Sequence, residues 1–127
     1  VNGRMRSVRI GCSYEDTSIT LGFPVQEWQA NRGGMMHGGM ICTAFDITAA
    51  AIARFCAGEN YAPTISLDVK YIRPVQIGDQ LIVTAKATAA GKRITQIVCE
   101  ARSKNTGKLA ATAASVYMNV DTTKEKR

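Results

Sequence analysis

Apolar and polar positions alternate along most of this chain, and one long stretch with helical character interrupts the alternation. Ser7 to Tyr14 and Thr17 to Phe23 predict two short strands joined at Glu15-Asp16, with Ile19, Leu21 and Phe23 set between polar neighbours. After Pro24, the segment Val25 to Met36 carries Asn31, Arg32, Gly33 and Gly34, which break any regular period and predict a loop. Met40 to Ala57 contains neither Gly nor Pro, places five alanines between positions 44 and 53, and is followed by Gly58 as a stop signal. That stretch predicts one helix.

Beyond the helix the pattern returns to period two. Thr64 to Tyr71 reads as a strand with Ile65, Leu67, Val69 and Tyr71 on one face and Thr64, Ser66, Asp68 and Lys70 on the other. Arg73-Pro74 ends it. Leu81 to Ala89, Arg93 to Ser103 and Leu109 to Val120 follow as three long runs rich in Val, Ile, Thr and Ala, separated by turns at Ala90-Gly91-Lys92 and Asn105-Thr106-Gly107. The helix is apolar around most of its circumference and so cannot face water. A six-stranded antiparallel sheet wrapped around this one central helix buries it, which predicts an α+β two-layer domain.

Composition narrows the picture. The chain has 127 residues, 46% hydrophobic and 20% charged, which suits a single packed domain spanning residues 1–127 and argues against disorder. Residues 1–6 and 121–127 are expected to fray as polar ends. Met40 to Ala53 is interrupted by Asp46 and bounded by Arg54, short of the roughly 18 to 20 uncharged residues of a membrane span. The chain opens on Val1, and Val1 to Ile10 has no apolar signal-peptide stretch; where the native chain starts is left open. Cysteines stand at 12, 42, 56 and 99 without a C-x-x-C or Cys/His cluster. Zinc is therefore not expected, and free thiols in apolar runs predict a reducing, cytoplasmic location. The net charge is +6. Arg4, Arg6 and Arg9 hold part of it, and residues 86–108 set six cations (Lys86, Lys92, Arg93, Arg102, Lys104, Lys108) against Glu100. That segment reads either as a solvated strand face or as a surface for an anionic group such as a phosphate. Nucleic acid is not expected as a partner, since the remaining charge sits at the chain ends.

Candidate chemistry gathers at the helix. Asp46 is a poor interior helix residue whose charge is costly to bury, and Cys42, Thr43, Ala49, Ala50 and Ala53 around it are all small, which predicts a shallow trough where a ligand approaches. A carboxylate satisfied by a backbone donor or an Arg is the structural alternative. Gly38 and Gly39 precede the predicted helix with free N–H groups at its positive end, an arrangement suited to polarising a carbonyl. Lone His37 reads first as a hydrogen-bonded structural residue. Trp28, Met35, Met36, Met40 and Phe45 read first as core rather than as an acyl pocket. Cys42 reads as a packed thiol rather than as a nucleophile. Asp46 lies eight residues beyond Gly38, roughly 12 Å along a helix axis at 1.5 Å per residue. One reacting carbon cannot touch both, so joint action requires a second copy of the chain and predicts a homodimer with shared sites.

The ordered set Asn31-x5-His37-Gly38-Gly39-x6-Asp46, then Thr64 opening a strand, Tyr71-Ile72-Arg73-Pro74, Gly78-Asp79 and Gly91-Lys92 resembles the hotdog-fold acyl-CoA thioesterases of the phenylacetate-degradation (PaaI-like) type. The match covers residues 17–120. The resemblance implies hydrolysis of an acyl-CoA thioester to a free acid and coenzyme A, with no cofactor beyond the coenzyme A of the substrate. It implies that Asp46 is nucleophile or general base, that Gly38 N–H polarises the thioester carbonyl with His37 and Asn31 positioning it, and that Thr64 holds the attacking water. It places coenzyme A along Tyr71, Arg73 and Pro74 and the hairpin of Gly91, Lys92 and Arg93, and implies dimers that often pair into tetramers. Two other readings stay open: a hotdog hydratase or dehydratase, and a non-catalytic acyl-CoA-binding protein.

Overall fold

The computed structural model describes residues 5–13, 15–56 and 63–118. Six strands and one long helix account for most of them: β1 (Val8–Ser13), β2 (Ser18–Pro24), α1 (Gly38–Cys56), β3 (Thr64–Tyr71), β4 (Gln80–Ala90), β5 (Ile94–Ser103) and β6 (Leu109–Met118). A short 3-10 turn at Glu27–Gln29 sits within the loop before α1. All strand pairs are antiparallel, in the order β1-β2-β4-β5-β6-β3. The α+β sheet-around-helix prediction is borne out, with the helix starting two residues before Met40. Ala57, Val120 and the tail from Asp121 lie outside the described residues. Met5, within the segment expected to fray, is instead fully buried, with Gln29 Nε2 donating to its sulfur at 3.1 Å.

The helix buries a stripe of Ile41, Ala44, Phe45, Thr48, Ala49, Ile52 and Ala53, the three- and four-residue spacing of one face. Against it the sheet sets alternate residues of its central strands: Leu81, Val83 and Ala85 of β4, Ile97, Cys99 and Ala101 of β5, and Ala111, Ala113 and Tyr117 of β6. Alanines on both sides allow close approach of helix and sheet. Burial lifts the Cys99 thiol to about 12. Ala49 and Ala53 are thus floor of the core and not walls of a trough, a correction to the expected surround of Asp46. Of the candidate pocket residues, Met36 and Phe45 are core, whereas Trp28 is 41% exposed.

β3 departs from the clean alternation expected of it. Thr64 pairs with Tyr117 and Ser66 with Val116, so Ile65 is an extra residue, a bulge in the strand. The bulge turns Thr64 to the helix side, the face of Leu67, Val69 and Tyr71, rather than the face of Ser66, Asp68 and Lys70. β3 is also an edge strand, next to β6 alone.

Asp79 ties the opposite sheet end together. It is 8% exposed. Its Oδ1 accepts from Gln80 N at 2.6 Å and Asn105 N at 3.1 Å, and its Oδ2 accepts from the Ser103 hydroxyl. Asp79→Ala strands these donors and is expected to cost about 3 kcal/mol, read as a lower midpoint in urea with an unchanged slope.

Candidate active site

The N-terminus of α1 is built by His37. Its carbonyl accepts from Met40 N at 2.9 Å and Ile41 N at 3.2 Å, its own N–H donates to Gln29 O at 2.7 Å, and its Nδ1 accepts from Gly39 N at 3.0 Å. His37 is therefore a side-chain cap, with its ring proton on Nε2. The expected pair of free amides is reduced to one. Gly39 N–H is occupied, whereas Gly38 N–H has no partner among the described residues. Glycine at position 38 permits a close approach: a Cβ there would lie 3.2 Å from Tyr71 Cζ, so the ring would have to give by a few tenths of an ångström.

Tyr71 covers that helix mouth. Its hydroxyl donates to Gly38 O at 2.9 Å and lies 2.8 Å from Cys42 Sγ. The Cys42 hydrogen bond, followed by desolvation and the charge of Cys42, pushes the phenol up to about 12. Asn31 does not reach His37 or Gly38 by a hydrogen bond; its Oδ1 accepts from Gly33 N at 2.9 Å and Met35 N at 3.3 Å, fastening its own loop. It nonetheless lines a hollow of about 340 Å³ with Met35, Gly38, Tyr71, Arg73 and Pro74.

Asp46 stands two turns further along α1. Thr64 Oγ1 donates to its Oδ1 at 3.1 Å, and Tyr117 OH donates to the same oxygen at 2.9 Å. Oδ2 has no partner among the described residues. A groove of about 560 Å³ opens beside the carboxylate between Cys42, Thr43, Ile47, Thr64 and Leu67. The structure thus brings Thr64 to Asp46, and it adds Tyr117, absent from the sequence-based set. Tyr117 is fully buried, and burial first, then the hydrogen bond to Asp46 and its negative charge, raises the phenol. The available signal was a lone phenol in register with the small inward residues Ala111, Ala113 and Ser115.

The segments expected to meet coenzyme A lie apart within one chain. Gly91 N closes the β4–β5 turn on Ile94 O at 2.9 Å, and Thr95, Tyr117 and Thr64 align across the sheet at that end. Tyr71 and Arg73 mark the other end, where the Arg73 guanidinium donates to Leu109 O at 2.8 Å. The length of β3, roughly 23 Å at 3.3 Å per residue, separates them. A further hollow of about 410 Å³ includes Arg73, Asp79, Ser103 and Lys108 and holds none of the catalytic candidates. The cationic segment is divided likewise, and Arg102 is paired with Glu100 at 3.1 Å. Among the described residues no group of three or more His, Cys, Asp or Glu side chains is placed to hold a metal ion, and no helix is long and apolar enough to cross a membrane.

The model of the thioesterase superfamily matches residues 33–110, which run from the loop before α1 into β6. The chain belongs to the thioesterase superfamily. Within it, the chain is 34% identical over 89 residues to acyl-coenzyme A thioesterase 13 of Mus musculus, covering 68% of this chain and 62% of that protein. It spans between about half and three-fifths of the length of the curated relatives it matches. Among solved structures, a phenylacetic acid degradation-related protein of Ralstonia eutropha JMP134 superposes with a TM-score of 0.85 at 24% identity, over 92% of this chain and 87% of that one. The PaaI protein of the E. coli phenylacetic acid degradation operon does so at 0.82 and 18%, over 94% and 83%. The hotdog fold and the PaaI-like resemblance read from the motifs are borne out.

Proposed function

We propose that this thioesterase-superfamily chain hydrolyses an acyl-CoA thioester to a free acid and coenzyme A, in a homodimer whose two sites are each assembled from both copies. The observation that carries this reading is the Asp46 carboxylate, held on one oxygen by two hydroxyls, with no partner for the other oxygen among the described residues, in a residue that lines an open groove. The Gly38 N–H at the positive end of α1, without a partner among the described residues, supplies the complementary part, a donor for the oxyanion that forms as the thioester carbonyl is attacked. Asp46 Oδ2 acts either on the carbonyl carbon directly or by taking a proton from water. The relatives named as acyl-coenzyme A thioesterases support the substrate class.

The edge strand supplies the route to a dimer. β3 runs antiparallel to α1, with Thr64 against Asp46 and Tyr71 against Gly38. A two-fold axis through the middle of β3 pairs its open backbone with that of a second copy and reverses the strand. The Asp46 end of one copy then lies beside the Gly38 end of the other. The same operation brings the Gly91–Arg93 turn of one copy towards Tyr71, Arg73 and Pro74 of the other, so that Lys92, Arg93 and Arg73 flank one coenzyme A. In this arrangement Asn31 and His37 position the helix mouth and Thr64 orients the carboxylate. Pairing of two such dimers into a tetramer is compatible with it.

The direct test follows release of free thiol from a panel of short, long and aromatic acyl-CoAs. Turnover of at least one member with saturation is the expected result. Saturable binding of every member without thiol release would instead favour a non-catalytic acyl-CoA-binding protein.

A further inference from the structure

The geometry points to Tyr117 as a positioning residue that holds Asp46 by Oδ1 and so commits Oδ2 to the reacting groove; this rests on the reading of Asp46 as the catalytic carboxylate. Two hydroxyls, from β3 and β6, converge on Oδ1 at 3.1 and 2.9 Å. A carboxylate has no proton to give, so both hydroxyls donate and the direction of each bond is fixed. With Oδ1 doubly bound, rotation about the Cβ–Cγ bond would break two hydrogen bonds. Oδ2, which has none among the described residues, is thereby presented towards the groove beside Cys42, Thr43 and Leu67.

The two donors differ in setting. Thr64 is exposed at the start of an edge strand, next to the Ile65 bulge. Tyr117 is fully buried on β6, and its hydroxyl also lies 3.4 Å from the Asp46 main-chain oxygen. A rigid phenol embedded in the core makes the more fixed of the two anchors. Its raised ionisation range keeps it a donor across neutral and mildly alkaline pH. The titratable groups around the carboxylate are Tyr117 from β6 and Cys42, which lines the same groove from α1; Cys99 of β5 acts on the phenol. The side chain facing Asp46 from β3 is the neutral Thr64.

Tyr117→Phe removes one oxygen and keeps the ring. With Oδ1 held by one hydroxyl instead of two, the carboxylate is free to turn Oδ2 away from the groove. kcat is therefore expected to fall about tenfold with KM within about twofold, the split that lost orientation of a reacting group gives. Thr64→Val removes the other donor and should lower kcat in the same direction. Thermal unfolding beside the assay separates lost orientation from lost stability. An unchanged kcat in a folded Tyr117→Phe protein overturns the proposal. If Tyr117→Phe does not fold, an unchanged kcat in Thr64→Val overturns the two-donor anchor. Full activity of Asp46→Asn would overturn the underlying reading of Asp46 instead.

Discussion

Asp46→Asn is expected to keep the fold and lose thioester turnover by roughly a hundred- to ten-thousand-fold, the range over which a positioned base or nucleophile contributes. The isosteric amide is the informative change. Its carbonyl oxygen still accepts from Thr64 and Tyr117, so neither hydroxyl is stranded, and the substitution subtracts only the negative charge and basicity at the groove. Asp46→Ala would instead take from the buried Tyr117 hydroxyl its 2.9 Å acceptor and leave only the main-chain oxygen of residue 46 at 3.4 Å, and a loss of activity there would mix chemistry with destabilisation. The measurement is free-thiol release under saturating acyl-CoA, beside thermal unfolding of both proteins. An unchanged rate in Asp46→Asn removes the carboxylate from the mechanism, whatever the protein binds.

The same residues show which part of this arrangement the sequence exposes. Asp46 stood out because a charge inside an alanine-rich helix requires compensation, and Gly38 because glycine at a helix mouth admits close approach. Both arguments are local. The strands were readable for the same reason, since alternation and turn residues act over a few positions. What compensates Asp46 was not readable. Tyr117 lies 71 positions away in the chain, and it reaches the carboxylate because β6 sets it on the inward face of the sheet, against α1. The bulge at Ile65 inverts the facing of Thr64, which strict alternation assigns to the wrong side. The sequence presents the Gly39 amide as free because nothing in it shows that the His37 ring, two residues earlier, folds back on that amide. Small residues around Asp46 suggested a trough, but Ala49 and Ala53 turned inward once the sheet claimed that face of the helix. Periodicity and composition within one segment survive the move from sequence to structure, whereas side-chain contacts, from the His37 cap two residues away to Tyr117 across the sheet, do not.

Two inactive variants are expected to restore activity when combined in one dimer if, as proposed, each site draws Gly38 from one copy and Asp46 from the other. Gly38→Pro suits the first lesion. Proline is accommodated at the first helical position, where it deletes the N–H proposed to polarise the carbonyl. The neighbouring Tyr71 ring, 53% exposed, has space to shift by the few tenths of an ångström that a Cβ demands. Alone, Gly38→Pro is expected to lower kcat by roughly a hundredfold or more. Asp46→Asn supplies the second lesion. In a heterodimer isolated through two different tags, one site carries both lesions and the other carries neither. Activity per dimer should therefore return to about half that of the unmodified protein, as an isologous two-fold interface requires. A site contained within one chain gives the opposite result: each copy keeps its own lesion, and the heterodimer stays as inactive as its parents. The contrast does not depend on which acyl group is used, nor on whether Asp46 attacks the carbonyl or activates water. It tests directly whether the 12 Å between the helix mouth and the carboxylate, roughly eight helical rises, is closed by a second copy of α1.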